Sequence, residues 1–314
     1  MAQLAIGYLL PTRDRTVRGD DDPEPLVAQA RRAEELGLDS VWAGESPVTR
    51  PRADPTLLLA AVAQATERVG LGTAVLLPAL RHPILLAHQL ATLDRLSNGR
   101  LITGMGGGFP SRNTEAQFAA LGIDFGRRIG RMRESIEIMR RLWSGKTVSY
   151  EGEHFTFEDV RIAPTPVRPR GPAIWLAGSG GPALRRVADL ADGWLPYPTE
   201  ARIYATERAI IEQRAGRPIT PALYATLCLD EDPDRARERL RISVERYYNA
   251  PLEYIASVQA LFAGTARGAA DWLSGYADAG ARHIVIRLAT EDHDHGLTEL
   301  ADRVLPLLRK ENSL

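Results

Sequence analysis

The sequence has little cysteine, almost no net charge and no long apolar segment, and each shortage excludes a class of protein. Cys228 is the single cysteine among 314 residues, so an internal disulfide framework is impossible and a cysteine metal cluster is not expected. The 39 basic and 40 acidic side chains leave a formal net charge of -1. This balance provides no electrostatic footprint for nucleic acid or for an anionic membrane, and neither partner is predicted.

Segments that would direct the chain into a membrane are also missing. The longest stretch without a charged side chain, Gly171–Leu184, is rich in glycine and shorter than the roughly 20 apolar residues that a spanning helix needs. Met1–Leu10 has neither a basic region nor a cleavage pattern of small residues, so no signal peptide is predicted. We therefore expect a cytoplasmic protein, and the 44% of hydrophobic residues predicts a folded core.

Short apolar runs alternate with amphipathic helices along most of the chain. The run Leu4–Leu10 stops at Pro11, for example, and a helix with apolar side chains at helical spacing then begins at Pro25. Strands separated by helices pair in parallel through right-handed crossovers. The predicted strands are Leu4–Leu10, Ser40–Ala43, Val69–Leu77, Leu101–Met105, Ala173–Ala177, Gly193–Leu195, Tyr224–Cys228 and His283–Arg287.

Two α/β architectures have this alternation, the closed TIM (β/α)8 barrel and the open doubly wound sheet. The open sheet usually carries G-x-G-x-x-G on its first strand–helix turn, whereas this turn is Pro11–Asp14 and has no glycine before Gly19. The count of eight strands and the chain length favour a TIM barrel, with residues 1–314 as one domain. Residues 144–171, a predicted hairpin followed by prolines, are interpreted as an insertion between strands 4 and 5.

The active site of a TIM barrel lies on the loops that follow the strands, and two of these loops are runs of glycine. Gly178-Ser179-Gly180-Gly181 precede a helix that begins with Pro182, so their N–H groups are suited to a phosphate at the positive end of that helix. Gly106-Gly107-Gly108-Phe109 follow the fourth strand, where a flat ring can lie over bare backbone. A tight turn and a flexible loop, both without ligand, are the alternatives.

Glu45 and Ser46 follow the second strand and are the candidate catalytic residues. Their carboxylate and hydroxyl are able to hydrogen-bond to a cofactor ring or a substrate, although Glu45 has an alternative role as an ion-pair partner of Arg50 or Arg52. No G-x-S-x-G motif surrounds Ser46, which argues against a serine hydrolase.

Histidines provide only a minor hypothesis. His293 and His295 lie in the acidic segment Glu291–His295 after the last strand. They could be the metal ligands of a hydrolase, but a solvated loop is the simpler interpretation. The sequence has no H-E-x-x-H motif, and no metal is predicted.

Several short motifs occur along the chain in a specific order. In that order and spacing they resemble the bacterial luciferase-like monooxygenase family, which includes reductases and dehydrogenases that use the deazaflavin coenzyme F420. The likeness covers most of the chain. The motifs are Ile6–Leu9, Ala33–Trp42, Leu71–Pro78, His82-Pro83, Ala91–Arg100, Leu142–Gly145, Tyr150–Gly152 and Ala191–Trp194.

The resemblance implies a TIM barrel with a flavin or deazaflavin ring over its C-terminal mouth. It implies a non-proline cis peptide beneath the ring, at Thr73–Ala74 or Ala74–Val75, and a cofactor phosphate after the fifth strand. It also implies a small-molecule substrate, a homodimer and a separate reductase that supplies reduced cofactor. The cofactor-binding candidates are Thr73, Ala74, Gly106, Gly107, Gly108, Phe109, Gly178, Ser179, Gly180 and Gly181.

The chain departs from the family where known proton-transfer residues are expected. Luciferases have a histidine after the second strand and the sugar-phosphate enzymes have Asp-His, whereas this chain has Glu45-Ser46. The luciferase arginine that meets the flavin phosphate corresponds to Gly107, and the glutamate of the sugar-phosphate enzymes corresponds to Phe109. Neither luciferase activity nor glucose 6-phosphate oxidation follows from the resemblance.

We therefore expect an oxidoreductase with a flavin-type cofactor. It uses either reduced FMN for monooxygenation or coenzyme F420 for hydride transfer to or from a small organic substrate. The missing phosphate arginine favours F420 over FMN. The alternative is a non-catalytic barrel that carries or senses the cofactor.

Overall fold

The computed structural model describes residues 4–311 and contains eleven strands among those residues. Six of the helices begin after a residue whose side chain accepts a hydrogen bond from the first turn. The side chain of Asp54, for example, accepts hydrogen bonds from the N–H groups of Thr56 and Leu57, with Pro55 at the first helical position. The strands are β1 (Ala5–Leu9), β2 (Ser40–Ala43), β3 (Gly70–Thr73), β4 (Leu101–Met105), β5 (Val148–Glu151), β6 (Thr156–Val160), β7 (Ala173–Leu176), β8 (Gly193–Trp194), β9 (Thr220–Leu229), β10 (Leu261–Gly264) and β11 (His283–Leu288).

Helices follow the strands on the outside of the sheet. The last two, α12 and α13, are joined by a π-helical turn at Leu300–Val304. The helices are α1 (Thr12–Thr16), α2 (Glu24–Glu35), α3 (Pro55–Ala65), α4 (Pro83–Leu96), α5 (Arg112–Ala120), α6 (Arg128–Trp143), α7 (Gly181–Leu190), α8 (Ala201–Ala215), α9 (Pro233–Tyr248), α10 (Leu252–Ala256), α11 (Ala266–Asp278), α12 (His293–Glu299) and α13 (Leu305–Glu311). None of the helices in the described part of the chain is long and apolar enough to cross a membrane.

Eight of the strands form a closed parallel ring. Their order is β1-β2-β3-β4-β7-β8-β9-β11, and β11 returns to β1 with Ala5 beside His283. The ring closes on the other side through Gly193 of β8, which lies beside Thr220 of β9. The predicted TIM barrel is therefore confirmed.

The centre of the barrel is filled by two indole rings near its amino-terminal end. The rings of Trp42 and Trp175 lie 5.3 Å apart, and the edge of His283 contacts both. Glycine on neighbouring strands makes room for them: a Cβ atom at Gly72 would lie 2.1 Å from Trp42 Cε3, and one at Gly193 would lie 2.4 Å from Trp175 Cδ1. These side chains fill the barrel interior below the cavity described next.

The segment between β4 and β7 contains the predicted hairpin. Strands β5 and β6 pair in antiparallel fashion, and the hairpin is attached to α6 by two glutamates. Glu134 accepts hydrogen bonds from the backbone N–H groups of Glu153, His154 and Phe155, and Glu137 accepts one from the Tyr150 hydroxyl.

Several element boundaries differ from the predictions; strand β9, for example, is Thr220–Leu229 rather than Tyr224–Cys228. The regular part of strand β3 ends at Thr73 rather than Leu77: a cis bond joins Ala74 to Val75, and pairing with β4 resumes as a single bridge between Leu76 and Met105. The loops after β1 and β4 contain the helices α1 and α5. The segment Pro251–Ala263, which lies outside the predicted strands, contains α10 and the start of β10, which pairs with the second half of β9.

Candidate active site

A cavity of about 690 Å³ opens at the carboxyl ends of the barrel strands. Its walls come from the loops after β2, β3, β4, β7 and β8, together with the end of α9 and the residues after α10. This is the size of pocket that holds a cofactor together with a small substrate. The cavity therefore lies where the sequence predicts the active site.

The floor beneath one side of the cavity is the cis peptide bond. It joins Ala74 to Val75, the second of the two predicted positions, and both residues line the cavity. Thr73 points elsewhere: its side chain is fully buried, and its hydroxyl donates a hydrogen bond of 2.7 Å to the Gly104 carbonyl oxygen. Of the two candidates on this loop, only Ala74 reaches the cavity.

The glycine run after β4 presents bare backbone to the cavity. A Cβ atom at Gly106 would lie 3.0 Å from Val75 Cγ2, and one at Gly107 would lie 2.5 Å from Ile129 Cδ1. Gly108 has a φ of +84°, which other residues rarely adopt. Phe109 is 43% exposed at the cavity rim. All four residues line the cavity, as expected for a loop beneath a flat ring.

The glycine run after β7 begins at the cavity and ends at helix α7. Gly178 and Ser179 line the cavity, whereas Gly180 and Gly181 lie just behind, at the helix N-terminus. The Gly180 N–H donates a hydrogen bond of 2.7 Å to a carboxylate oxygen of Glu207. An anionic oxygen of the protein itself therefore occupies one donor of the predicted phosphate site, and the other Glu207 oxygen is buried without a hydrogen-bond partner.

Two arginines near this loop were not among the predicted site residues. Arg128 and Arg186 both line the cavity, the first from the start of α6 and the second from α7. Burial lowers the pKa of Arg186, and the positive charges of Arg128, Arg133 and Arg185 lower it further. Such mutual repulsion is relieved when an anion binds. The sequence feature that could have indicated Arg128 is its position in the first turn of the amphipathic helix α6.

Glu45 lies at the cavity wall with both carboxylate oxygens engaged. One forms an ion pair with Arg81, and the other accepts a hydrogen bond of 2.6 Å from the Leu77 N–H. Its partner is thus neither Arg50 nor Arg52. Burial raises the pKa of Glu45 despite the opposing effect of Arg81. This arrangement fixes the loop after β3 against the loop after β2.

Ser46 is also fully hydrogen-bonded. Its hydroxyl donates to the Gln117 side chain at 3.0 Å and accepts from the Arg50 N–H at 3.0 Å. The same Gln117 oxygen accepts the Val48 N–H. Ser46 therefore orders the loop that contains Arg50.

Three tyrosines also line the cavity. Burial raises the pKa of Tyr197 to about 12 and raises the pKa values of Tyr224 and Tyr248 as well. The three hydroxyls are therefore neutral at physiological pH. Those of Tyr224 and Tyr248 hydrogen-bond to each other, and Tyr248 also hydrogen-bonds to Gln259.

The two histidines of the hydrolase hypothesis have separate partners. His293 is buried, with its Nδ1 atom 3.2 Å from the Tyr8 hydroxyl, whereas His295 lies on the surface beside Glu299. Among residues 4–311, no group of three or more histidine, cysteine, aspartate or glutamate side chains is arranged to hold a metal ion.

The sequence profile of the family described as "Luciferase-like monooxygenase" matches residues 4–312. The chain belongs to this family. An F420-dependent glucose-6-phosphate dehydrogenase from Amycolatopsis mediterranei (strain U-32) is 30% identical over 321 residues, which cover 91% of this chain and 95% of that protein. A protein with the same name from Kineococcus radiotolerans is 31% identical over 324 residues, covering 91% and 94%.

Solved structures of the family share the fold. The monooxygenase RslO1 from Streptomyces bottropensis has a TM-score of 0.82 at 24% identity, covering 96% of this chain and 99% of that one. The coenzyme F420-dependent tetrahydromethanopterin reductase from Methanopyrus kandleri has a TM-score of 0.78 at 21% identity, covering 97% and 99%. The predicted family, fold class and enzyme class are confirmed.

The residues present fit a phosphate-bearing ring cofactor of this family. Gly106–Gly108 line the cavity beside the Ala74–Val75 floor, and the lack of side chains lets this backbone pack closely against Val75 and Ile129. The Glu207 carboxylate at Gly180 is a stand-in for an anionic oxygen at the phosphate loop. The cavity therefore has a ring-sized floor and an anion-binding end.

Proposed function

We propose that this protein is an oxidoreductase that binds coenzyme F420 or FMN and acts on a small organic substrate at the barrel mouth. The observation that carries the proposal is the cavity itself, with a bare-backbone floor and cationic groups beside the Gly178–Ser179 loop. The F420-dependent enzymes that are about 30% identical over nearly the whole chain favour F420.

The bound cofactor would supply hydride transfer or, as reduced flavin, reactivity toward oxygen. The ring would lie over Ala74 and Gly106–Gly108, and its phosphate would lie near Ser179, Arg128 and Arg186. Buried tyrosines such as Tyr197 would exclude water and donate hydrogen bonds to the substrate. The protein's part is thus to orient the two reactants and to keep the site dry.

Glu45 and Ser46 remain proposals as contributors to catalysis. Both side chains already form hydrogen bonds or ion pairs with other residues of the protein. We therefore propose that they act as positioning residues for the loop after β2. We also keep the homodimer, the separate reductase and the cytoplasmic location as proposals. The first two rest on the family resemblance, and the third rests on the sequence features described above.

A titration tests the proposed cofactor. The purified protein is titrated with F420, FMN and riboflavin, in reduced form and without oxygen. We expect F420 or FMN to bind with a micromolar dissociation constant or tighter, and FMN to bind at least about ten-fold more tightly than riboflavin, because only FMN has a phosphate.

Two arginine variants localise the phosphate. Arg186→Gln should remove most of the difference between FMN and riboflavin, because Arg186 lines the cavity. Arg237→Gln should retain it, because Arg237 is 72% exposed and is not among the cavity-lining residues. Failure of both F420 and FMN to bind would refute the proposed function.

A further inference from the structure

A second group of arginines faces the cavity from the loop after β2. Arg52 donates a hydrogen bond of 3.0 Å from Nη1 to the Tyr247 hydroxyl, and its guanidinium lies 5.4 Å from the centre of the Tyr247 ring. The Arg50 guanidinium lies 5.8 Å from the centre of the Tyr248 ring. All four side chains line the cavity. Two planar cations are thus held side by side at the cavity wall by an aromatic pair.

The Arg52 guanidinium lies next to the floor of the cavity. A Cβ atom at Gly44 would lie 2.6 Å from Arg52 Nη1 and 3.1 Å from the Ala74 carbonyl oxygen. Both groups lie around the position that a side chain at Gly44 would take, so the guanidinium is close to the cis peptide floor. An anion that pairs with Arg52 would lie close to the position proposed for the ring.

Two further arginines lie behind this pair, on the same tyrosine. The guanidinium of Arg287 lies 4.0 Å and that of Arg13 lies 5.6 Å from the centre of the Tyr247 ring. Both side chains are more than nine-tenths buried, and Arg13 Nη1 has no hydrogen-bond partner. Burial and the charges of Arg52 and Arg50 lower the pKa of Arg13 to about 10.

The four guanidinium groups have too few counter-charges. Within the described residues, Asp14 is the only carboxylate in ion-pair contact with any of them, at 2.7 Å from Arg287. Arg13, Arg50 and Arg52 form no ion pair in the described part of the chain. Buried or half-buried cations are costly when they are unpaired, so this wall is built to receive negative charge from outside the protein.

The proposed cofactor phosphate site has its own cations elsewhere in the cavity. Arg128 and Arg186 lie on α6 and α7, whereas Arg50 and Arg52 lie on the loop after β2, against an aromatic pair. All four arginines line the cavity. A cofactor phosphate held by the first pair would therefore leave the second pair for another anion.

We propose that the substrate is an organic anion whose charged group binds between the guanidinium groups of Arg50 and Arg52, beside the Tyr247 hydroxyl. This inference rests on the proposed function, because it assigns the other end of the cavity to the cofactor. Planar guanidinium groups bind carboxylates and phosphates through paired hydrogen bonds, so the substrate is a carboxylic acid or a phosphate ester.

Calorimetric titrations with matched probes test the inference without turnover. Benzoate and benzamide have nearly the same shape and differ by one negative charge, and phenyl phosphate presents the other anionic group. We expect benzoate or phenyl phosphate to bind at least about ten-fold more tightly than benzamide, because charge-assisted pairs contribute strongly in a dry site. The tighter of the two anions identifies the class of substrate.

Variants localise the effect. Arg50→Gln and Arg52→Gln should each weaken anion binding at least about ten-fold, while Arg50→Lys and Arg52→Lys should lose less because they keep the charge. Arg237→Gln, a change of charge at a side chain that is 72% exposed, should bind the anion as the unaltered protein does. Each variant's FMN affinity is measured alongside, as a check on folding.

The outcomes separate this inference from the proposed function. If the cofactor binds but benzoate and phenyl phosphate bind no better than benzamide, or bind Arg50→Gln and Arg52→Gln unchanged, the inference is wrong and the proposed function stands. If saturating cofactor displaces the anion, the arginine pair belongs to the cofactor and the inference about the substrate is also wrong. If neither cofactor binds, the proposed function fails, and the substrate assignment that depends on it fails as well.

Discussion

Arg81 holds the buried carboxylate of Glu45 at the wall of the cavity and also contacts Asp54, the N-cap residue of α3. The Glu45 side chain is only 2% exposed, so it depends on this arginine for its counter-charge. We expect Arg81→Gln to lower the free energy of unfolding by about 3 kcal/mol at pH 7, because it leaves a buried charge unpaired. Urea denaturation measures the change.

The pH dependence of this loss has a definite sign. Burial already raises the pKa of Glu45, and the loss of Arg81 raises it further. A group with a raised folded-state pKa stabilises the protein at low pH and loses that contribution as the pH rises. The Arg81→Gln variant should therefore lose less stability at pH 5 than at pH 7. An equal loss from Arg237→Gln, on the exposed surface, would contradict the role of burial.

At the scale of elements, Arg100 joins the end of α3 to the starts of β3 and β4. Its guanidinium donates hydrogen bonds of 2.8 to 3.0 Å to the carbonyl oxygens of Ala63, Thr66, Val69 and Ser97, and one to the Thr66 hydroxyl. Helix C-termini leave carbonyl groups unpaired, and this side chain satisfies them.

We expect Arg100→Ala to lower the free energy of unfolding by about 3 kcal/mol, because several buried carbonyl groups lose their donors together. Arg100→Lys should recover only a small part, since an ammonium group lacks the planar fork. Arg202→Ala, at a side chain that is 82% exposed, is the control and should change stability by less than about 0.5 kcal/mol. Full recovery by lysine would show that charge alone explains the effect.

The same scale shows which elements a sequence can predict. Strand β4 lies between Gly99 and Gly106, and strand β7 lies between Pro172 and Gly178. Their apolar runs are therefore recognisable from the sequence without any knowledge of packing. Helix α5 is mostly polar and exposed on three sides, so its periodicity is weak. Strand β10 forms because β9 is long enough to pair with a further strand, and no local pattern in Leu261–Gly264 reveals that neighbour.

At the scale of the whole molecule, the position of the cavity was predictable and its charges were not. Strand ends in a barrel meet at one face, so Ala74, Gly107 and Gly178 are brought together by topology alone. Arg128 and Tyr247 reach the same cavity from the two ends of helices on different sides of the barrel. Their convergence depends on helix lengths and packing angles, which a single sequence does not reveal.

Acid sensitivity is expected of the barrel as a whole, because histidines are buried at both of its ends. Burial lowers the pKa of His283, below the cavity, and that of His293, beside Tyr8, to about 4. The Ser40 hydroxyl accepts a hydrogen bond from Trp42 Nε1 and lies 2.7 Å from His283 Nε2. In the unfolded chain these rings take up protons near their ordinary pKa of about 6.5.

The unfolded state therefore binds more protons than the folded state between about pH 6.5 and pH 4, and stability falls as the pH falls through that window. From pH 7 to pH 5 each ring should contribute a loss on the order of 2 kcal/mol, which urea denaturation at pH 7, 6 and 5 measures. His283→Gln keeps an acceptor for Ser40 and should remove roughly half of the histidine-dependent slope. His88→Gln, at an exposed position, should leave the slope unchanged. A slope that survives His283→Gln intact would mean that the ring is not neutralised by burial, because the proton uptake must then come from other groups.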